Sequence, residues 1–166
     1  MPDRPDADAP PPNPLRAPAV VYFREEGTIY DVPVDVLWEF MNWEGHGAAH
    51  EKSGRAFHVL EEAPHRVTVS HESFRGGEWR KVTSRVVAFP PLGRLVEEID
   101  GLYKGTQMVF LYTPVGERTR LDIIARFASE ALPVDVLERH MVDSLRCAGV
   151  EDEPYLQEFV RARSHR

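Results

Sequence analysis

The spacing of apolar positions changes period twice along the chain, and those changes mark its organisation. Residues 20–32, VVYFREEGTIYDV, are β-branched and aromatic with polar interruptions. This predicts a strand with Gly27 as a bulge and Pro33 as its stop. Leu37, Phe40 and Met41 then recur at i, i+3 and i+4, which predicts a helix over Asp35–Asn42. Trp43–Glu51 predicts a second short helix, weakened by Gly45 and Gly47. From residue 55 the period becomes two. Strands are predicted over Ala56–Glu61, Arg66–Phe74, Trp79–Phe89, Arg94–Ile99, Gln107–Thr113 and Thr119–Phe127. Turn signals at Ala63-Pro64, Gly76-Gly77, Pro90-Pro91, Asp100-Gly101 and Val115-Gly116 separate them. The connections are short, so neighbours should pair antiparallel as a meander. In the last strand Leu121, Ile123, Ala125 and Phe127 form a uniformly apolar set, the better candidate for a covered face, which turns Arg126 outward.

After Phe127 the helical period returns, with Pro133 suited to a first turn. Val136, Leu137, His140, Met141, Ser144, Leu145 and Ala148 share one face. Gly149 is expected to interrupt the helix, and Asp152-Glu153-Pro154 to start a second segment carrying Tyr155, Leu156, Phe159 and Val160. The predicted class is α+β: a curved seven-stranded antiparallel sheet gripping a long C-terminal helix, with two short helices after the first strand. One helix cannot touch a strongly curved sheet everywhere. A hollow suited to a small apolar molecule is expected between them.

Composition narrows the class. The chain has 166 residues and a formal charge of −7, which argues against nucleic acid or anionic membrane as a main partner. Seven of the 14 prolines fall in residues 1–18, a stretch with almost no large apolar residue, which predicts a disordered leader ahead of one domain over 19–166. No run approaches the length of a transmembrane helix, and the leader lacks a secretory apolar core, so a cytoplasmic location is expected. The single cysteine, Cys147, excludes a disulfide framework or an all-cysteine metal site within this chain. Edge strands of a meander could pair between copies, which allows a homodimer.

Two phrases and the terminal helix carry a resemblance. Val32-Pro33-Val34-Asp35-Val36-Leu37-Trp38 looks like the strand-end entry into the first helix of the START-like, helix-grip (SRPBCC) superfamily, which includes polyketide cyclase/dehydrases and birch-pollen-allergen-like proteins. Pro114-Val115-Gly116-Glu117-Arg118-Thr119-Arg120-Leu121 is similar to the family's hairpin before its last strand. The resemblance spans residues 20–163. It implies the helix-grip fold and a pocket for a small hydrophobic ligand such as a lipid or polyketide. Some members cyclise or dehydrate their ligands; others only carry them or serve as protein-interaction modules.

Polar residues set into apolar faces are the candidates for chemistry. His46 and His50, four apart, share a face if helical, as in a two-imidazole metal site. Asp152, Glu153 or His140 could complete an iron or zinc centre. Asn42-Trp43, His46, His50 and Glu151-Asp152-Glu153 also resemble the catalytic domain of Rieske-type oxygenases, but one cysteine cannot supply that family's cluster domain. The favoured expectation is ligand binding without a cofactor, by Trp43, His46, His50, His58, Tyr103, Phe110, Tyr112, Phe127, His140, Met141 and Ser144, with His71 and Trp79 as further strand-borne liners. His50, His58, His140 and Tyr112 are the candidates for moving protons.

Overall fold

The computed structural model describes residues 17–164, and at residues 149–151 the backbone only. The leader expected over residues 1–18 therefore lies outside the described residues except for Ala17 and Pro18, which are exposed. The element order is β1 (Ala19–Tyr30), α1 (Val34–Met41), α2 (Trp43–Lys52), β2 (Phe57–Ala63), β3 (Arg66–Arg75), β4 (Glu78–Phe89), β5 (Gly93–Glu98), β6 (Gln107–Val115), β7 (Arg118–Ser129) and α3 (Val134–Ser164). The strands form one seven-stranded sheet in the order β1-β7-β6-β5-β4-β3-β2. Every neighbouring pair is antiparallel. The meander runs from β2 to β7, and β1 closes onto β7.

Local chemistry explains the elements. The β1 register slips between Glu25 and Thr28, where Gly27 takes φ of 82° and donates its N–H to Asp122 at 3.0 Å. That is the bulge the glycine foretold. Asn42 separates the two short helices and caps the second, its side chain accepting from the Gly45 N–H at 2.9 Å. The apolar stripe of α1 is buried: Leu37, Phe40 and Met41 all face inward.

The long helix departs from expectation. It runs unbroken from Val134 to Ser164, through Gly149 and with Pro154 inside it. A mid-helix glycine costs about 1 kcal/mol and a proline about 3 kcal/mol against alanine. Tertiary packing offsets this, because Leu156 is buried and Tyr155, Phe159 and Val160 pack on the core formed by α1 and β7. Arg163, near the end of α3, forms an ion pair with Glu39 of α1. Among the described residues no helix is long and apolar enough to cross a membrane.

The sheet's inner face carries three apolar clusters. One joins Phe127 and Ala125 of β7 to Leu137 and Met141 of α3. A second joins Leu121 and Ile123 to α1 and to Leu156. A third, Val67, Val69, Val86 and Val96, lies on β3–β5 beside Trp43 of α2. Full burial of a side chain such as Leu137 or Phe127 contributes about 1.5–3 kcal/mol.

Candidate functional site

The three clusters are joined through the half-buried Met108 and Phe110, and a cavity of about 370 Å³ is lined by residues of all three. Each supplies apolar wall: Met41, Leu121, Ile123 and Leu156 from the α1 side, Met108 and Leu145 from the β7 side, and Val69, Val86 and Val96 from β3–β5. Trp38, Trp43, Phe57 and Phe110 add aromatic surface. This is the hollow expected where one straight helix crosses a curved sheet.

One side of the cavity is polar, and α2 brings it there. Gly47 faces the Phe57 ring, where a Cβ would come within 2.8 Å of the ring. Glycine is therefore what lets α2 lie flat on β2. The close approach stacks three imidazoles. The His46 and His50 rings are 4.8 Å apart, and His50 is 5.8 Å from His71 on β3. Strand alternation from Val69 to His71 to Ser73 points His71 inward. The His71 Nε2 lies 3.4 Å from Ser84 Oγ, and its Nδ1 3.4 Å from the Glu72 carbonyl. Nδ1 of His46 and of His50 are buried without a hydrogen-bond partner.

Burial is the first cause of the lowered basicity of all three rings, and neighbouring positive groups add to it. His50 is pushed down to about 4, by burial and then by Arg55, with Glu72 opposing. His71 is pushed down to about 4, by burial and then by His50. His46 falls well below the ordinary histidine value, by burial and then by Arg94. At neutral pH all three are uncharged, because burial disfavours the protonated ring.

Two strand arginines line the cavity. Arg75 of β3 donates to both carboxylate oxygens of Glu98 on β5, at 2.9 and 2.5 Å, and the pair is fully buried. Burial pushes the Glu98 carboxyl up, and the Arg75 charge pulls it back. Arg75 also lies 4.3 Å from the Tyr103 ring centre and bonds Ser73, which in turn meets Ser144 of α3 at 3.2 Å. Arg94 of β5 donates from Nη1 to the Met41 carbonyl and lies 4.8 Å from the Phe110 ring centre.

The structure gathers part of the residues named from sequence. Trp43, His46, His50, Phe110 and Ser144 line the cavity, as do His71 and Trp79. His58 does not: Phe57 faces inward beside His71, so alternation turns His58 to solvent on the outer face of β2. Tyr103 and His140 bond each other, hydroxyl to Nδ1 at 2.8 Å, in the packed end of the interior. A Cβ on Gly76 would overlap the His140 ring, so that end has no spare room. Phe127 and Met141 are buried in the same packing. Tyr112 is buried against Trp38 with its hydroxyl unpartnered, and it too is core rather than cavity wall. Asp152 and Glu153 line the cavity, but among the described residues no three His, Cys, Asp or Glu side chains are grouped to hold a metal ion.

Sequence reading missed Arg94, Glu98, Arg75 and Trp38. The signal for Arg94 and Glu98 was their period-two spacing with Val96, which is inward. Leu95 fits the opposite face equally well, so the short strand left its facing open.

No family model matches the sequence, and no curated protein matches it. The fold has relatives among solved structures. The chain superposes on the Zhui aromatase/cyclase from Streptomyces sp. R1128 with a TM-score of 0.64 at 19% identity, over 86% of this chain and 94% of that one. It superposes on TTHA0849 from Thermus thermophilus with a TM-score of 0.64 at 17% identity, over 87% and 99% of the two chains. It superposes on norcoclaurine synthase from Thalictrum flavum, solved with dopamine and hydroxybenzaldehyde, with a TM-score of 0.57 at 12% identity, over 88% of each chain. At these identities the likeness establishes the architecture: a helix-grip fold.

Proposed function

We propose that the protein binds a small hydrophobic or aromatic molecule, lipid- or polyketide-like, in the cavity between sheet and α3, and acts on it as a cyclase or dehydrase. The observation that carries the proposal is the cavity's two-sided chemistry. Apolar and aromatic walls face a row of buried, uncharged imidazoles whose His46 and His50 Nδ1 atoms lack partners. The aromatase/cyclase named above shares the fold, and the analogy supports this chemistry.

The chemistry follows from the groups present. The wall holds a flexible ligand folded and excludes water, which brings its reacting carbons together. A neutral imidazole then takes a proton from a carbon beside a carbonyl, and the electron pair forms the enolate. In a dehydration the enolate re-forms the carbonyl as a C=C bond appears and the C–O bond of a β-hydroxyl breaks, and the imidazolium returns its proton to the departing oxygen as water. His50 and His46 are placed for this step, and no cofactor is needed. Tyr112, His140 and His58, enclosed in packing or exposed on the far face, have no part in it.

Native mass spectrometry of gently purified protein, followed by binding screens with fatty acids and aromatic polyketides, tests the proposal. A one-to-one adduct or saturable uptake is expected. A protein that takes up none of these compounds would overturn it.

A further inference from the structure

The two strand arginines that line the cavity differ in one respect. Arg75 has a counter-ion, held by two hydrogen bonds to Glu98. Arg94, four residues before Glu98 on the same strand and the same face, has none among the described residues. Its recorded contacts are the neutral Met41 carbonyl and the face of Phe110. Its Nε is shielded from solvent with no acceptor. It lines the cavity beside His46, His50 and His71, none of which supplies negative charge. Arg94 is only partly buried, and it serves the fold by donating to the last carbonyl of α1. That partner is neutral, so its charge faces the cavity without a counter-ion, whereas interiors pair such charges as a rule.

We infer that the ligand itself supplies the counter-ion: the cavity takes a conjugated or aromatic molecule bearing an ionised oxygen, a carboxylate or the enolate of an acidic dicarbonyl, seated against Arg94. This rests on the proposed binding role and adds the charge class and orientation of the ligand. The oxygen accepts from the Arg94 guanidinium and from the N–H of a neighbouring imidazole, and the hydrocarbon lies against Phe110 and the valine wall. A planar guanidinium suits a two-oxygen group better than an ammonium would. Carboxylates also line the cavity, Glu72 on β3, Glu98 on β5, Asp152 and Glu153 on α3 and Glu25 and Asp31 near β1, so a charged oxygen is favoured only where Arg94 meets it.

The test uses matched probes on the full chain at pH 7.5, by calorimetry or tryptophan fluorescence. 2-Naphthoate supplies a carboxylate, 2-acetylindane-1,3-dione an enolate, and 2-naphthamide a neutral shape match of the first. At least one anion is expected to bind about 10- to 100-fold more tightly than the amide; which one identifies the source of the charge. Arg94→Met should remove that preference while the amide binds as before, and Arg94→Lys should keep part of it. Equal binding of the anions and the amide to the unaltered protein would overturn the anion site while leaving the apolar cavity standing. If none of the three bound, both would fall. The comparison on the unaltered protein decides even if Arg94→Met does not fold.

Discussion

The two ends of the inner face are built from the same kinds of residue and do opposite things. At one end α3 presents Leu137, His140 and Met141 to β7, and the space is filled. His140 has its Tyr103 partner, and Gly76 packs directly on the His140 ring. At the other end α2 and β3–β5 present His46, His50, His71 and Arg94 to an open cavity, and several of their polar atoms have no partner. A polar residue set into an apolar face therefore has no meaning by itself. Its meaning comes from whether the opposing element arrives to satisfy it.

This comparison can be broken by mutation. The largest effect should come from Glu98→Ala, which strips the counter-ion from a fully buried guanidinium. It should cost about 3–5 kcal/mol in urea unfolding. Arg94→Met, which removes a partly exposed charge together with its bond to the Met41 carbonyl, should cost about 1 kcal/mol or less. If the two substitutions cost the same, the distinction between a structural and a ligand-directed arginine fails.

A second effect, nearly as large, concerns acid. The folded-state values of His50 and His71, about 4, lie below the unfolded value of 6.5. The unfolded chain therefore binds more protons in that window. The stability these rings contribute is complete above pH 6.5 and is lost as pH falls through 6.5 toward 4. The loss amounts to up to about 3 kcal/mol for each ring. Unfolding curves across this range should show it, and a His50→Gln, His71→Gln double variant should flatten the slope. An unchanged slope would mean the rings are solvated.

The smallest effect belongs to the packed end. Tyr103→Phe removes the hydroxyl that meets His140 Nδ1 and should cost about 1 kcal/mol. It should leave binding of any cavity ligand unaltered, a point that fluorescence titration checks directly.

Much of the architecture was legible because period-two alternation and turn residues are local. Gly27, Gly76-Gly77 and Val115-Gly116 sit where the chain bulges or turns. The continuity of α3 was not legible, because Gly149 and Pro154 each argue locally for a break and only packing of Leu156 and Phe159 overrides them. The site was half legible. His46 and His50 declared themselves by helical spacing next to aromatic Trp43. His58 misled because one residue of strand phase separates the cavity from solvent. Tyr112, His140 and Phe127 misled because filled and hollow parts of an interior share one hydrophobic pattern. Arg94 was hidden because an arginine beside Leu95 reads as a solvated strand face until the sheet fixes which side is inside.

The central claim is that the hollow between the sheet and α3 is a binding site. An NMR titration of isotope-labelled protein with 2-naphthamide tests it most directly. The account predicts saturable one-to-one shifts at His46, His50, His71, Phe110 and Ser144, with Tyr103 and His140 unmoved. Absence of shifts at high ligand concentration, or shifts confined to the outer face of the sheet, would contradict it.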